Sequence, residues 1–198
     1  MNRSVVFLLL LSLGASLGAT LSHVATKNEA QQAIEWLDTP RSMEIFSLQT
    51  EAGVFNNHSL EGRWTLVVFG FLHCPEICPT SLSQLATLAD SLAVENLDTE
   101  VSFVFVTVDP ERDSLTDVSQ YVRHFHSSIR GVSGEAQQLS QLAQGLGIQF
   151  MVSPDENSYS VSHSVTFSII DAEGVFRGRF RPGFDVPNLV KNLTSKFN

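Results

Sequence analysis

The sequence predicts an α/β domain built on a central mixed sheet flanked by helices, and three observations carry that reading. Two largely apolar runs, residues 65–71 and 101–108, suit buried strands, and each is followed by apolar residues recurring at helical spacing. Two later strand-like runs, 164–170 and 175–180, are joined by Asp171-Ala172-Glu173-Gly174, a short hairpin signal with its glycine last. The order of strand, helix, strand, helices, hairpin and helix is that of a mixed sheet covered on both faces.

Taken in chain order, the first element stands apart from the domain. Arg3 is followed by an unbroken apolar run over 5–11, which continues to Leu21 with Ser12, Gly14, Ser16, Gly18 and Thr20 interrupting it. This is the form of a secretory signal, so residues 1–22 are expected to be a signal peptide or an uncleaved signal anchor. Residues 23–44 are polar and irregular in pattern and read as a tether, with a short helix over 30–37. The domain itself is expected to span 45–198. It opens with a hairpin, in which 45–49 and 54–55 flank the turn Thr50-Glu51-Ala52-Gly53.

After the strand over 65–71 comes a helix whose apolar face is Leu82, Leu85, Ala86, Ala89, Leu92 and Ala93. Pro79 belongs to its first turn, where a missing N–H costs nothing. The strand over 101–108 ends in a loop, Asp109-Pro110-Glu111-Arg112-Asp113, read as structural, its Asp and Arg side chains satisfying backbone groups or each other. Leu115, Val118, Val122 and Phe125 mark a second helix. Residues 135–144 make a third, closed by Gly145 and Gly147, and 148–152 a short strand. A final helix starts near Asp185 and turns Val186, Leu189, Val190, Leu193 and Phe197 inward.

Composition narrows the function. With 198 residues, 43% hydrophobic and 17% charged, the chain is globular and long enough for a real core. A formal net charge of −9 argues against a nucleic-acid partner and against docking on anionic lipid through a basic patch. It leaves a basic protein partner or a cationic metal open.

The two cysteines, Cys74 and Cys78, are the chain's only ones. A disulfide closing so short a loop removes little chain entropy, so a purely structural bridge is poorly motivated. Both sit where a buried strand hands over to a helix, in Phe71-Leu72-His73-Cys74-Pro75-Glu76-Ile77-Cys78-Pro79. N–H groups and partial positive charge at a helix N-terminus are expected to lower thiol pKa values, and a thiolate serves as nucleophile or as soft-metal ligand. Three intervening residues put the pair on one helical face, able to clamp one ion or to close a disulfide after modest adjustment. Two sulfurs and an imidazole form a set that copper accepts in three-coordinate form, whereas structural zinc asks for a fourth ligand.

Six histidines compete for the third place. His23 lies in the expected tether and His58 between the hairpin and the next strand. His73 adjoins Cys74, so it would point away or strain the turn. His124 and His126 splay apart on a helix by about 200°. His163 precedes a strand, where ligand sites of open sheets gather. Its reading stays open between a ligand and a satisfied loop histidine.

Three ordered segments resemble the Sco/SenC family of copper proteins: 68–79, then 105–113 continuing through 121–126, then 159–164. The resemblance covers roughly residues 46–180. It implies a thioredoxin fold with an inserted hairpin, and one copper ion, Cu(I) or Cu(II), held per domain by Cys74, Cys78 and His163. It implies a place in the cell envelope, in the periplasm or at the periplasmic face of the inner membrane, or in the mitochondrial intermembrane space, with the N-terminal segment holding the chain to the membrane if uncleaved. It implies a part in assembling the dinuclear copper site of cytochrome c oxidase, with the copper-receiving oxidase subunit or another copper or thiol protein as partner. Two functions fit: a metallochaperone, which needs His163, and a thiol–disulfide oxidoreductase keeping oxidase or other envelope cysteines reduced, which needs only the Cys74–Cys78 pair. A peroxidase fits poorly, because no arginine and hydroxyl signature surrounds Cys74. The chain departs from the family where an Asp often precedes the histidine. Here it is Ser162, and loss of that carboxylate would weaken any part it plays in orienting the imidazole.

Overall fold

The computed structural model of the chain describes residues 34–155 and 158–197. The expected signal segment, 1–22, and the first part of the expected tether lie outside these residues.

The strands are β1 (Glu35–Ser42), β2 (Ser47–Thr50), β3 (Gly53–Asn56), β4 (Trp64–Gly70), β5 (Val101–Thr107), β6 (Ile129–Val132), β7 (Phe150–Asp155), β8 (Ser158–His163), β9 (Phe167–Ile170) and β10 (Val175–Phe180). The helices are α1 (Ile77–Val94), α2 (Leu115–Phe125), α3 (Ala136–Gly145) and α4 (Val186–Thr194). Six strands make one sheet in the order β1-β10-β9-β4-β5-β6. β4, β5 and β6 run parallel, while β9 pairs antiparallel with β4 and β10 antiparallel with β9. The expected mixed sheet is therefore present.

Side-chain alternation along β4 divides the core in two. Trp64, Leu66 and Val68 face a cluster with Leu82, Leu85, Leu88 and Leu92 of α1, Val118 and Val122 of α2, and Leu189 and Leu193 of α4. Val67 and Phe69 face the other cluster, with Leu139, Leu142 and Ala143 of α3 and with Phe46, Leu48 and Phe55 of the β2–β3 hairpin. Helices thus cover both faces, and the inserted hairpin lies on the α3 side. Gly53 closes its turn at φ +123°, a conformation open chiefly to glycine.

Two expectations are corrected. The stretch 23–44, read as a tether, contributes β1, which pairs antiparallel with β10 through Glu35–Arg179 and Trp36–Gly178. The folded part therefore begins before residue 45, and 35–37 are strand rather than helix. The second correction concerns 148–163. The short strand starts at Phe150 and folds back on β8 with Phe150 opposite His163, a hairpin that pairs with no strand of the large sheet. His163 therefore ends a strand rather than sitting in a loop. β6, a four-residue parallel edge strand, is too short to leave a distinct pattern in the sequence.

Candidate metal centre

β4 ends at Gly70, and the chain turns through residues 71–76 before α1 begins. The turn is held at several points. Val108 N–H donates to the Gly70 carbonyl at 2.8 Å, and Cys74 N–H to the Phe71 carbonyl at 3.2 Å. Leu72 N–H donates to Asp113 Oδ2 at 3.0 Å. Glu76 caps α1 without a side-chain bond, so Cys74 precedes the helix and Cys78 lies in its first turn, beside Pro79.

The two thiols meet different surroundings. Cys74 Sγ accepts the Cys78 N–H at 3.4 Å, one of the free donors of the helix N-terminus. Cys78 Sγ packs against Gly70 and Phe105 and is only 3% exposed, against 8% for Cys74. Burial and the hydrogen bond with Cys74 push the Cys78 thiol up to about 12, opposite to the lowering expected from the helix terminus. Desolvation outweighs the backbone hydrogen bond at Phe71, which acts to lower it. Cys78 is a protonated thiol at neutral pH until something displaces the proton.

His163 completes the group. Tyr159, Val161 and His163 alternate on one face of β8, while Ser160 and Ser162 are exposed on the other. His163 Nε2 lies 3.8 Å from Cys78 Sγ, and the ring meets Phe71 edge-on with centroids 5.9 Å apart. Its Nδ1 lies 3.0 Å from the Ser164 carbonyl oxygen. A carbonyl only accepts, so Nδ1 carries the proton and the Nε2 lone pair faces the sulfur. Burial lowers the His163 pKa, which favours the neutral, ligating form. The Ser164 carbonyl orients the imidazole. Ser162 is exposed on the opposite face of the strand.

Can the group hold an ion? Among the described residues, no three His, Cys, Asp or Glu side chains already stand close enough to enclose one. The Cys78–His163 span nevertheless fits a shared ion: donors about 2.1 and 2.3 Å from one metal, about 120° apart, lie about 3.8 Å from each other. Both thiols are free. A groove of about 870 Å3, lined by Gln144, Gln149, Met151 and Ser162 among others, reaches His163 from the outside.

The other histidines are elsewhere. His58 pairs with Glu61 at 2.7 Å on the surface, and His126 with Asp90 and Ser128. His124 stacks edge-on against Phe125. His73 is exposed, with its Nδ1 3.7 Å from Asp113 Oδ1. His23 lies outside the described residues. The loop 109–113 behaves as read: Arg112 Nε donates to Asp109 Oδ2 at 2.6 Å, and Asp113 accepts from Leu72 N–H and from Thr107 Oγ1. Tyr159, unassigned from the sequence, donates its hydroxyl to Asp109 Oδ1 at 2.6 Å. The alternation of Tyr159, Val161 and His163 among serines was the available signal.

Comparison with known proteins gives consistent results. The family model described as SCO1/SenC matches residues 36–198. The chain is 34% identical over 139 residues to Protein SCO1 homolog 1, mitochondrial, of Arabidopsis thaliana, covering 70% of this chain and 41% of that relative's own length. It is 30% identical over 180 residues to a SCO2-like protein of Rickettsia felis, covering 89% of this chain and 87% of the relative. Among solved structures, Arabidopsis thaliana ScoI with copper bound superposes with a TM-score of 0.69 at 34% identity, covering 77% of this chain and 96% of that one.

Proposed function

This chain belongs to the SCO1/SenC family, with the thioredoxin-like fold of its relatives, and on that premise we propose that it is a copper-binding metallochaperone acting in assembly of the dinuclear copper centre of cytochrome c oxidase. Cys74, Cys78 and His163 hold one copper ion. The observation that carries this reading is the orientation of His163: one nitrogen is committed to a backbone carbonyl and the other faces a buried sulfur at 3.8 Å. An imidazole fixed by its far nitrogen is the usual form of a metal-ligating histidine. The copper-bound Arabidopsis relative supports the choice of metal, and so does the sulfur and nitrogen donor set.

Binding displaces the Cys78 proton, since the ligand is the thiolate. Cys74, more exposed, meets an incoming ion first, and Cys78 and His163 close on it. Release reverses the order, handing the ion to a partner with its own soft ligands: an oxidase subunit or another copper or thiol protein. When no metal is held, a thiol–disulfide oxidant of the envelope, itself reduced by the two electrons and two protons that the pair gives up, closes a reversible disulfide between the same two thiols. A thiol–disulfide oxidoreductase remains the second reading, favoured by the contact between Cys78 N–H and Cys74 Sγ. The high pKa of Cys78 makes it a poor attacking thiol at neutral pH, and that reading leaves the orientation of His163 without a purpose.

The domain works outside the cytoplasm, in the cell envelope or an equivalent intermembrane space, carried there by residues 1–22 as signal or anchor. The basic flank and apolar run of that segment support this, as do the mitochondrial relatives. Among the described residues no helix is long and apolar enough to cross a membrane.

Copper titration of the reduced protein tests the ligand set. His163→Ala is expected to lower Cu(II) affinity by roughly two orders of magnitude or more, and Cu(I) affinity by less than about tenfold, because two thiolates alone satisfy Cu(I). Unchanged Cu(II) affinity would remove His163 from the set and move the oxidoreductase reading ahead.

A further inference from the structure

The two halves of the site come from parts of the chain that share no strand pairing. The cysteine turn follows β4 of the large sheet, whereas His163 rides on the β7–β8 ribbon, a separate two-stranded sheet. Packing of Phe150 and Val161 on the α3-side core holds one flank of that ribbon. At its other end, a continuous chain of hydrogen bonds ties it to the cysteine turn. Leu72 N–H and the Thr107 hydroxyl both donate to Asp113 Oδ2, at 3.0 and 2.6 Å. Thr107 Oγ1 accepts Asp109 N–H at 3.0 Å. Asp109 Oδ1 accepts the Tyr159 hydroxyl at 2.6 Å, and Asp109 Oδ2 accepts Arg112 Nε at 2.6 Å. The Arg112 guanidinium lies 3.6 Å over the Tyr159 ring and pins it flat.

The middle of this chain is buried, and its Tyr159 and Arg112 end is partly exposed. Asp109, Asp113 and Thr107 are at most 1% exposed. Buried carboxylates are costly unless paired and hydrogen-bonded, so Asp109 and Asp113 Oδ2 keep the partners that close the chain, while Asp113 Oδ1 is buried without one. Tyr159 shares its strand face with His163. A pleated ribbon turns as a unit, so fixing the roll of Tyr159 fixes the roll of the imidazole.

We propose that Tyr159 and Asp109 are positioning residues, forming a brace that holds the His163 ribbon at the set distance from the cysteine turn and so tunes Cu(II) retention without touching the ion. The inference rests on His163 being a copper ligand. Its consequence is specific to the oxidation state. Cu(I), satisfied by the two sulfurs, is indifferent to the brace, and Cu(II), which needs the nitrogen, depends on it.

Tyr159→Phe is the conservative test, since it keeps the ring beneath Arg112 and removes only the hydroxyl. On the reduced full chain, Cu(II) affinity is expected to fall about tenfold, with Cu(I) affinity within about twofold of the parent. The nitrogen hyperfine pattern in the Cu(II) electron paramagnetic resonance spectrum should broaden or split. In a His163→Ala background the same substitution should cost nothing more, because it acts through the imidazole. If Tyr159→Phe binds Cu(II) as the parent does, or loses the same factor with and without His163, the brace is refuted while His163 stands as ligand. If His163→Ala itself keeps parental Cu(II) affinity, the ligand assignment fails first, and the brace falls with it.

Discussion

Cys74 and Cys78 are chemically distinct although they are four residues apart. The helix N-terminus offers its N–H to the Cys74 sulfur, while the Cys78 sulfur is enclosed by Gly70 and Phe105. The residue types of the site were legible from the sequence, since two cysteines beside a strand end and a late histidine are scarce and chemically pointed. What the sequence hid was desolvation. Helix termini suggest lowered thiol pKa values, but whether a given sulfur lies outside or beneath the first turn depends on Phe105, from the neighbouring strand. A stability prediction follows with a definite sign. The Cys78 thiol titrates at about 12 when folded, against an ordinary 9.0 when unfolded, so between those values the unfolded chain gives up a proton that the folded chain keeps. Stability of the reduced protein therefore falls as pH rises from about 9 toward about 12. Urea unfolding at about pH 8 and about pH 10 should show the parent losing about 1 kcal/mol more than Cys78→Ser, which has no thiol to titrate. Parallel pH profiles for the two proteins would show that Cys78 is not desolvated.

At the scale of elements, legibility followed periodicity. β4, β5, α1, α2 and α4 carry long apolar patterns and were read within a few residues. β1 was missed because Glu35–Ser42 is mostly exposed, contains Pro40 and slips register between Trp36 and Arg41. A proline is tolerated there because β1 is an edge strand and the register is already broken. The β7–β8 ribbon was half missed because serines, Pro154 and short length dilute its alternation. Two strands that pair only with each other have no fully apolar run to betray them. The end of β4 carries a prediction of its own. A Cβ on Gly70 would stand 2.6 Å from Phe105 Cε2 and 2.9 Å from Cys78 Sγ. Phe105 is 1% exposed and fully enclosed, so its ring cannot swing aside. Gly70→Ala should cost about 1–3 kcal/mol in urea unfolding and weaken copper binding by displacing the Cys78 sulfur. Parental stability in that variant would mean the strand end is looser than the packing indicates.

For the whole molecule, the sheet order explains why residues 85 apart in sequence meet. β4 has a parallel neighbour, β5, on one side and an antiparallel neighbour, β9, on the other, with Val68 opposite Phe167. The end of β4 and the start of β9 therefore lie at the same edge of the sheet. The cysteine turn leaves from the first and the His163 ribbon enters at the second, while the loop after β5 bonds to both, Asp113 to Leu72 of the turn and Asp109 to Tyr159 of the ribbon. This convergence at a switch in strand direction is where open sheets place their ligands. We propose one copper ion at that edge, held on two sulfurs and one imidazole. X-ray absorption at the copper edge, on protein loaded with Cu(II) under conditions that keep the thiols intact, addresses it directly. One copper per chain with two sulfur scatterers and one imidazole nitrogen is the expected result. A spectrum with sulfur but no imidazole, or with nitrogen and oxygen alone, would contradict it.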